Sequence, residues 1–219
     1  MNFTDKTTLG TTLAKRLPQL KHKDAVIVCL QESSLMTCIS MASKLHAWIF
    51  PLIYAPVYTP DHAHKLLGAF DQDGEFCPLH LGPVSELKTT PEITDTVESS
   101  KKEAMKSIHS QLAAYDMPLD KHSLDGRDTI LVADVISDPL PLLVARQFLS
   151  SVTPKSWTAV AGNATLQTAQ LLRMSAVKSE ILDILSGVVS DEDRYFQHAD
   201  NYTRKQKHTL TQHINAYWQ

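Results

Sequence analysis

The chain has 219 residues, 43% of them hydrophobic, and a formal net charge of −3. This suits one α/β domain with a sizeable core, since single cores grow to roughly 250 residues before splitting. The weak acidic balance excludes a general nucleic-acid-binding surface, and no run of about 18 apolar residues indicates a membrane span.

Cys29, Cys38 and Cys77 are odd in number and lack Cys-x-x-Cys spacing, so they read as reduced, buried thiols. The opening Met-Asn-Phe-Thr-Asp-Lys has no apolar signal core, and a cytoplasmic location is expected. Glycine is scarce, with 7 residues against about 15 at average usage. Loops that cradle phosphate normally use several.

Residues 5–17 predict a helix with Leu9, Leu13 and Leu17 on one face, Asp5 as N-cap and Pro18 as stop. The apolar run 25–30 predicts a strand buried on both faces. Gln31-Glu32-Ser33-Ser34 is the turn after it, 35–47 a helix and 48–54 the next strand, forming one βαβ unit. Residues 55–65 read as a loop rich in Pro and His. Residues 66–70 and 75–80 flank Asp71-Gln72-Asp73-Gly74, a hairpin turn signal. Residues 81–90 are irregular, and 91–115 carry apolar residues at helical spacing.

The stretch 126–148 organises the chain. Apolar, β-rich residues 129–133 predict a strand, Asp134 to Asp138 a polar turn, and Leu140, Leu143, Val144 and Phe148 a helix. Strands at 157–161 and 180–185, helices at 164–175 and 203–218, and an acidic-aromatic segment at 191–202 complete the chain. Strands alternating with helices imply a doubly wound, mostly parallel sheet. Ligands in such sheets bind at the carboxyl ends of the strands.

Gly-Arg-Asp-Thr-Ile-Leu-Val-Ala-Asp-Val-Ile-Ser-Asp-Pro at 126–139 resembles the signature of the type I phosphoribosyltransferases. In that family a hydrophobic strand ends in two acids, and a Gly- and Thr-rich loop grips the 5-phosphate of phosphoribosyl pyrophosphate. The acid pair falls on Ala133 and Asp134, the following glycine on Val135, and the phosphate loop on Ser137, Asp138, Pro139, Leu140 and Pro141. The family's pyrophosphate turn, Pro-Arg-Gly-Gly or similar, falls on Gln31, Glu32, Ser33 and Ser34. The resemblance implies a phosphoribosyltransferase-like fold in one domain over 1–219, with a small hood at about 55–90 and a C-terminal helix at about 203–218.

The candidate ligand-binding residues are therefore Gln31, Glu32, Ser33, Ser34, Asp134, Ser137 and Asp138, with Asp134 the candidate catalytic residue. An anion site at a helix N-terminus needs free N–H groups, and Pro139 and Pro141 have none. Asp138 is placed to cap that helix, and a carboxylate there repels a phosphate by about 1 kcal/mol or more. Glu32 opposes pyrophosphate in the same way, and Ser33 or Ser34 is expected to N-cap the first crossover helix.

The expected function is a phosphoribosyltransferase-like protein that has lost phosphoribosyl pyrophosphate binding and acts through binding or regulation, with a homo-oligomer or a protein partner and no cofactor. The alternative is an active transferase or ribosyl-compound enzyme, with Asp134 on the ribose, Mg²⁺ as cofactor and His62 or His64 closing over the site. A hydrolase with Ser33 or Ser34 as nucleophile lacks the Gly-x-Ser-x-Gly elbow. His62-Ala-His64 reads as an exposed loop, His208 and His213 as surface residues, and Tyr195, Phe196 and Tyr202 as a buried C-terminal wrap.

Overall fold

The computed structural model describes residues 3–60, 65–79, 91–115, 120–174, 177–185, 195–198 and 200–218. The chain begins with helix α1 (Lys6–Arg16), strand β1 (Ala25–Cys29), helix α2 (Leu35–Leu45) and strand β2 (Trp48–Pro51). Asp5 caps α1 as expected, its carboxylate accepting the Thr8 N–H at 2.6 Å. All five residues of β1 are buried, as a parallel central strand requires. β2 is shorter than expected, because the chain leaves the ladder after Pro51.

Next come β3 (Ala55–Tyr58), β4 (Leu66–Phe70), β5 (Phe76–Pro78) and the long helix α3 (Pro91–Tyr115). The three strands form a small antiparallel sheet, the hood. β3 corrects the loop expected at 55–65: its residues alternate buried and exposed, and Pro56 is tolerated because β3 is an edge strand. The expected hairpin turn is present. Asp71 Oδ1 accepts the N–H groups of Asp73 and Glu75, both at 3.0 Å, and Gly74 takes the left-handed conformation at φ 78°.

The second half contains β6 (Asp128–Ile136), α4 (Leu140–Phe148), β7 (Ser156–Thr165), α5 (Leu166–Met174), β8 (Lys178–Leu185) and α6 (Arg204–Trp218). The main sheet has the order β2-β1-β6-β7-β8, and every pairing is parallel. Apolar side chains of α1, α2 and α3 fill one face, and those of α4 and α5 the other. This is a doubly wound α/β fold with a parallel main sheet and a small hood. Its topological switch point lies between β1 and β6, where a strand-order reversal opens a crevice at the carboxyl ends.

Two helices dock in ways that composition alone hides. α1 lies against α2 at Gly10, where an added Cβ would come within 2.8 Å of Ser40 Cβ and 3.1 Å of the Met41 nitrogen. α6 buries a polar stripe, His208, Thr211 and Asn215. The Asn215 side chain accepts from Ile49 N–H at 2.8 Å and donates to Ile49 C=O at 2.7 Å, completing the outer edge of β2.

Gly10→Ala should therefore destabilise the protein by about 1–3 kcal/mol through overpacking, although alanine exceeds glycine in helix propensity by about 1 kcal/mol. Urea unfolding checks this, and a gain in stability would show that α1 and α2 are not in contact at this point.

Candidate functional site

The fold brings the two nominated segments together. Gln31 to Ser34 follow β1, Asp134 to Asp138 end β6, and β1 and β6 are hydrogen-bonded neighbours. The Asp134 N–H donates to Ser34 Oγ at 2.8 Å, joining the segments across the switch point.

Asp134 is not in a loop, as its sequence pattern suggests. β6 continues through Ile136 because β-branched Val135 and Ile136 pair with Asn163 and Ala164 of β7. The Asp134 carboxylate is consequently buried, at 1% exposure. Burial pushes its proton affinity up, and Lys6 opposes that shift. Lys6, itself 7% exposed, places Nζ 3.3 Å from Asp134 Oδ2 and donates to the Ser33 carbonyl at 2.8 Å. Phe196 lies over the ammonium, its ring centroid 5.4 Å away. The backbone around Phe196 is pinned to the N-terminal segment: Phe3 N–H donates to the Tyr195 carbonyl at 2.7 Å, and Gln197 N–H to the Phe3 carbonyl at 2.9 Å. The expected wrap is real at Tyr195 and Phe196, which are half-buried, but Tyr202 is 47% exposed.

The first turn is built differently from expectation. Ser34 makes no side-chain cap on α2. A 3₁₀ turn, Glu32–Ser34, runs straight into the helix, with Leu35 N–H bonded to the Glu32 carbonyl, so the hydroxyl is left to serve Asp134. Glu32 forms an ion pair with Arg204, and His208 Nε2 lies 3.4 Å from its Oε1. His208 is no surface residue. It is 4% exposed and packs on Tyr115, with ring centroids 4.0 Å apart. Burial lowers its proton affinity and Glu32 pulls the other way. His213 is exposed as expected.

At the other cradle, Asp138 Oδ1 accepts the Leu140 N–H at 2.8 Å and so caps α4. Ser137 and Asp138 are half-buried. Gln31 and Glu32 line a pocket of about 240 Å³ with Cys29, Tyr54, Gln111 and Tyr115, on the β2 side of the switch point. Asp134 takes no part in it. His62 and His64 lie outside the described residues, as do residues 191–194.

Sequence reasoning missed Lys6, Arg204 and His208. Lys6 left a signal: it continues the Leu9, Leu13 stripe of α1 toward the N-terminus, so a charge sits on the buried face. His208 likewise shares a face with Thr211 and Asn215 at helical spacing. A polar stripe looks like a solvated face until its partners are known.

No protein-family model matches the chain, and neither does any curated protein sequence. Among solved structures, TT1426 from Thermus thermophilus superposes with a TM-score of 0.76 at 16% identity, over 98% of this chain and 99% of that one. A hypothetical protein from Neisseria gonorrhoeae with bound ppGpp gives a TM-score of 0.49 at 10% identity, over 89% and 92% of the two chains. Adenine phosphoribosyltransferase from Leishmania donovani gives 0.45 at 10% identity, over 90% and 71%. The TT1426 likeness is one of fold.

Removing one member of a buried ion pair strands the other. Lys6→Met should lower unfolding free energy by about 3–5 kcal/mol, and Lys6→Met with Asp134→Leu should recover most of that. Urea denaturation of the two single variants and the double closes the cycle. Additive losses would mean that the two charges do not interact.

Proposed function

We propose that this chain is a phosphoribosyltransferase-like protein that has lost phosphoribosyl pyrophosphate binding and catalysis and acts as a binding or regulatory protein. The observation that carries this reading is that the acids at the switch point are already matched from within the chain. Asp134 is closed against Lys6, Glu32 is held by Arg204 and His208, and Asp138 occupies the N-terminus of α4. A ligand phosphate at α4 would have to displace a carboxylate from the N–H it needs, with Pro139 and Pro141 offering none.

The alternative, an active transferase or ribosyl-compound enzyme using Mg²⁺, needs Asp134 open to a ribose, and its 1% exposure weighs against that. A serine hydrolase needs a histidine aimed at a turn serine. His208 meets Glu32 instead, and the Ser34 hydroxyl is buried against the Asp134 N–H. The binding role draws support from an apolar cleft of about 380 Å³ between α4 and α5, lined by Leu131, Leu142, Leu143, Leu149, Trp157 and Leu172. Its size falls in the range of ligand pockets, about 300–1,000 Å³. A cytoplasmic location and self-association belong to the same reading. Among the described residues, no helix is long and apolar enough to cross a membrane.

Titration with phosphoribosyl pyrophosphate and Mg²⁺, followed by calorimetry and thermal shift, tests the proposal. No heat and no shift are expected up to millimolar ligand. Saturable binding that Asp134→Ala abolishes would overturn it.

A further inference from the structure

The amino end of the main sheet, opposite the switch point, holds a second constellation. Here the starts of β1 and β2 and the residue before β6 meet the last turn of α6. They enclose a cleft of about 330 Å³ lined by His22, Lys23, Asp24, His46, Trp48, Arg127 and Trp218.

The cleft is rich in donors. Its one carboxylate lining residue, Asp24, is engaged with Arg127, Oδ1 to Nε at 3.4 Å. A guanidinium carries five N–H donors in a fork, so the remainder suit two-point recognition of an oxyanion. Trp48 is only 8% exposed, and its indole N–H is buried with no hydrogen-bond partner among the described residues. Buried donors are normally satisfied, and an orphan calls for an acceptor. Arg127 lies over the same indole, 5.8 Å from its centroid.

The histidines are held in place by the backbone and by each other. His22 at φ 59° and His46 at φ 62° are the non-glycine residues with left-handed backbone among those described. His46 is the left-handed cap that ends α2, its N–H bonded to the Ala42 carbonyl at 2.8 Å. His22 N–H donates to the Leu45 carbonyl at 3.0 Å, and the two imidazoles meet edge to face at 4.0 Å. Trp218 stacks on His46 at 4.1 Å and 15°, which fixes the ring. Burial, then His22 and Lys21, hold His46 below its ordinary proton affinity. A nearby anion would relieve the part due to like charge.

We propose that this cleft binds a small phosphate-type dianion, either inorganic phosphate or a phosphate monoester, with Arg127, His22, His46 and Lys23 as the recognising side chains. Arg127, Lys23 and two histidines outnumber the one carboxylate, Asp24, which is already paired with Arg127, and a cleft of this size favours a compact tetrahedral anion. The site is separate from the switch-point residues and stands whether or not those bind anything.

The test is titration with inorganic phosphate, and in parallel with phenyl phosphate, at constant ionic strength. Tryptophan fluorescence and the histidine ring signals in NMR are the readouts. Saturation at millimolar ligand is expected, with the His22 and His46 signals moving and that of His208, at the other end of the sheet, unmoved. Saturation by either ligand supports the site, and the tighter of the two identifies the free anion or the ester as the preferred form. Arg127→Gln and His22→Asn should each weaken it by about tenfold or more, as loss of a donor to a charged ligand does. Asparagine tolerates the backbone at position 22. The proposal fails if there is no saturation by tens of millimolar, if the response tracks His208 instead, or if both variants bind as the parent does.

Discussion

The fold hinges on one ion pair in a dry place. Asp134 brings a carboxylate into the middle of a parallel sheet and Lys6 brings an ammonium into the helix layer above it. Neither charge is tolerable there alone, because the interior withholds the hydration each would have in water. α1 must therefore sit low over the switch point. Gly162 of β7 is bare where α1 comes down: a Cβ there would lie 3.0 Å from Leu9 Cδ2 and 2.8 Å from the Asp134 carbonyl oxygen. Gly10 serves the same descent on the other side of the helix, against α2.

Each acid at the switch point has a partner elsewhere in the chain: Lys6 for Asp134, Arg204 and His208 for Glu32, and the Leu140 amide for Asp138. Their charges have been folded into the scaffold. The C-terminal helix contributes to the same closure, since its first turns supply Arg204 and His208.

What could be read from the sequence was what depends on neighbours along the chain. The all-apolar β1, the Asp5 cap with the leucine stripe of α1, and the Asp71–Gly74 turn are local patterns, and each formed as its residues dictate. What stayed hidden depends on distant partners. A charge ordinarily ends a strand, so Asp134 read as the start of a turn. β6 runs past it because Lys6 neutralises the carboxylate from the other end of the chain. His208 read as solvated because nothing nearby in sequence announces Tyr115 and Glu32. β3 was obscured by Pro56, which only an edge strand accommodates, and edge position is a property of the assembled sheet. For the site, the same logic named two segments that meet at the switch point and missed the cations that pair with their acids.

The amide of Asn215 has a wider effect than its two hydrogen bonds. In β2, Ile49 directs its N–H and C=O away from β1, and Pro51 has no N–H to offer. With Ile49 occupied, that border of the main sheet is sealed against another strand. At the opposite border, β8 has no further strand beside it among the described residues. Strand addition to the main sheet is then left to the β8 side alone. Two copies joined β8 to β8 would present sealed borders on both outer sides, so growth by this route terminates at a pair and fibres cannot propagate through it.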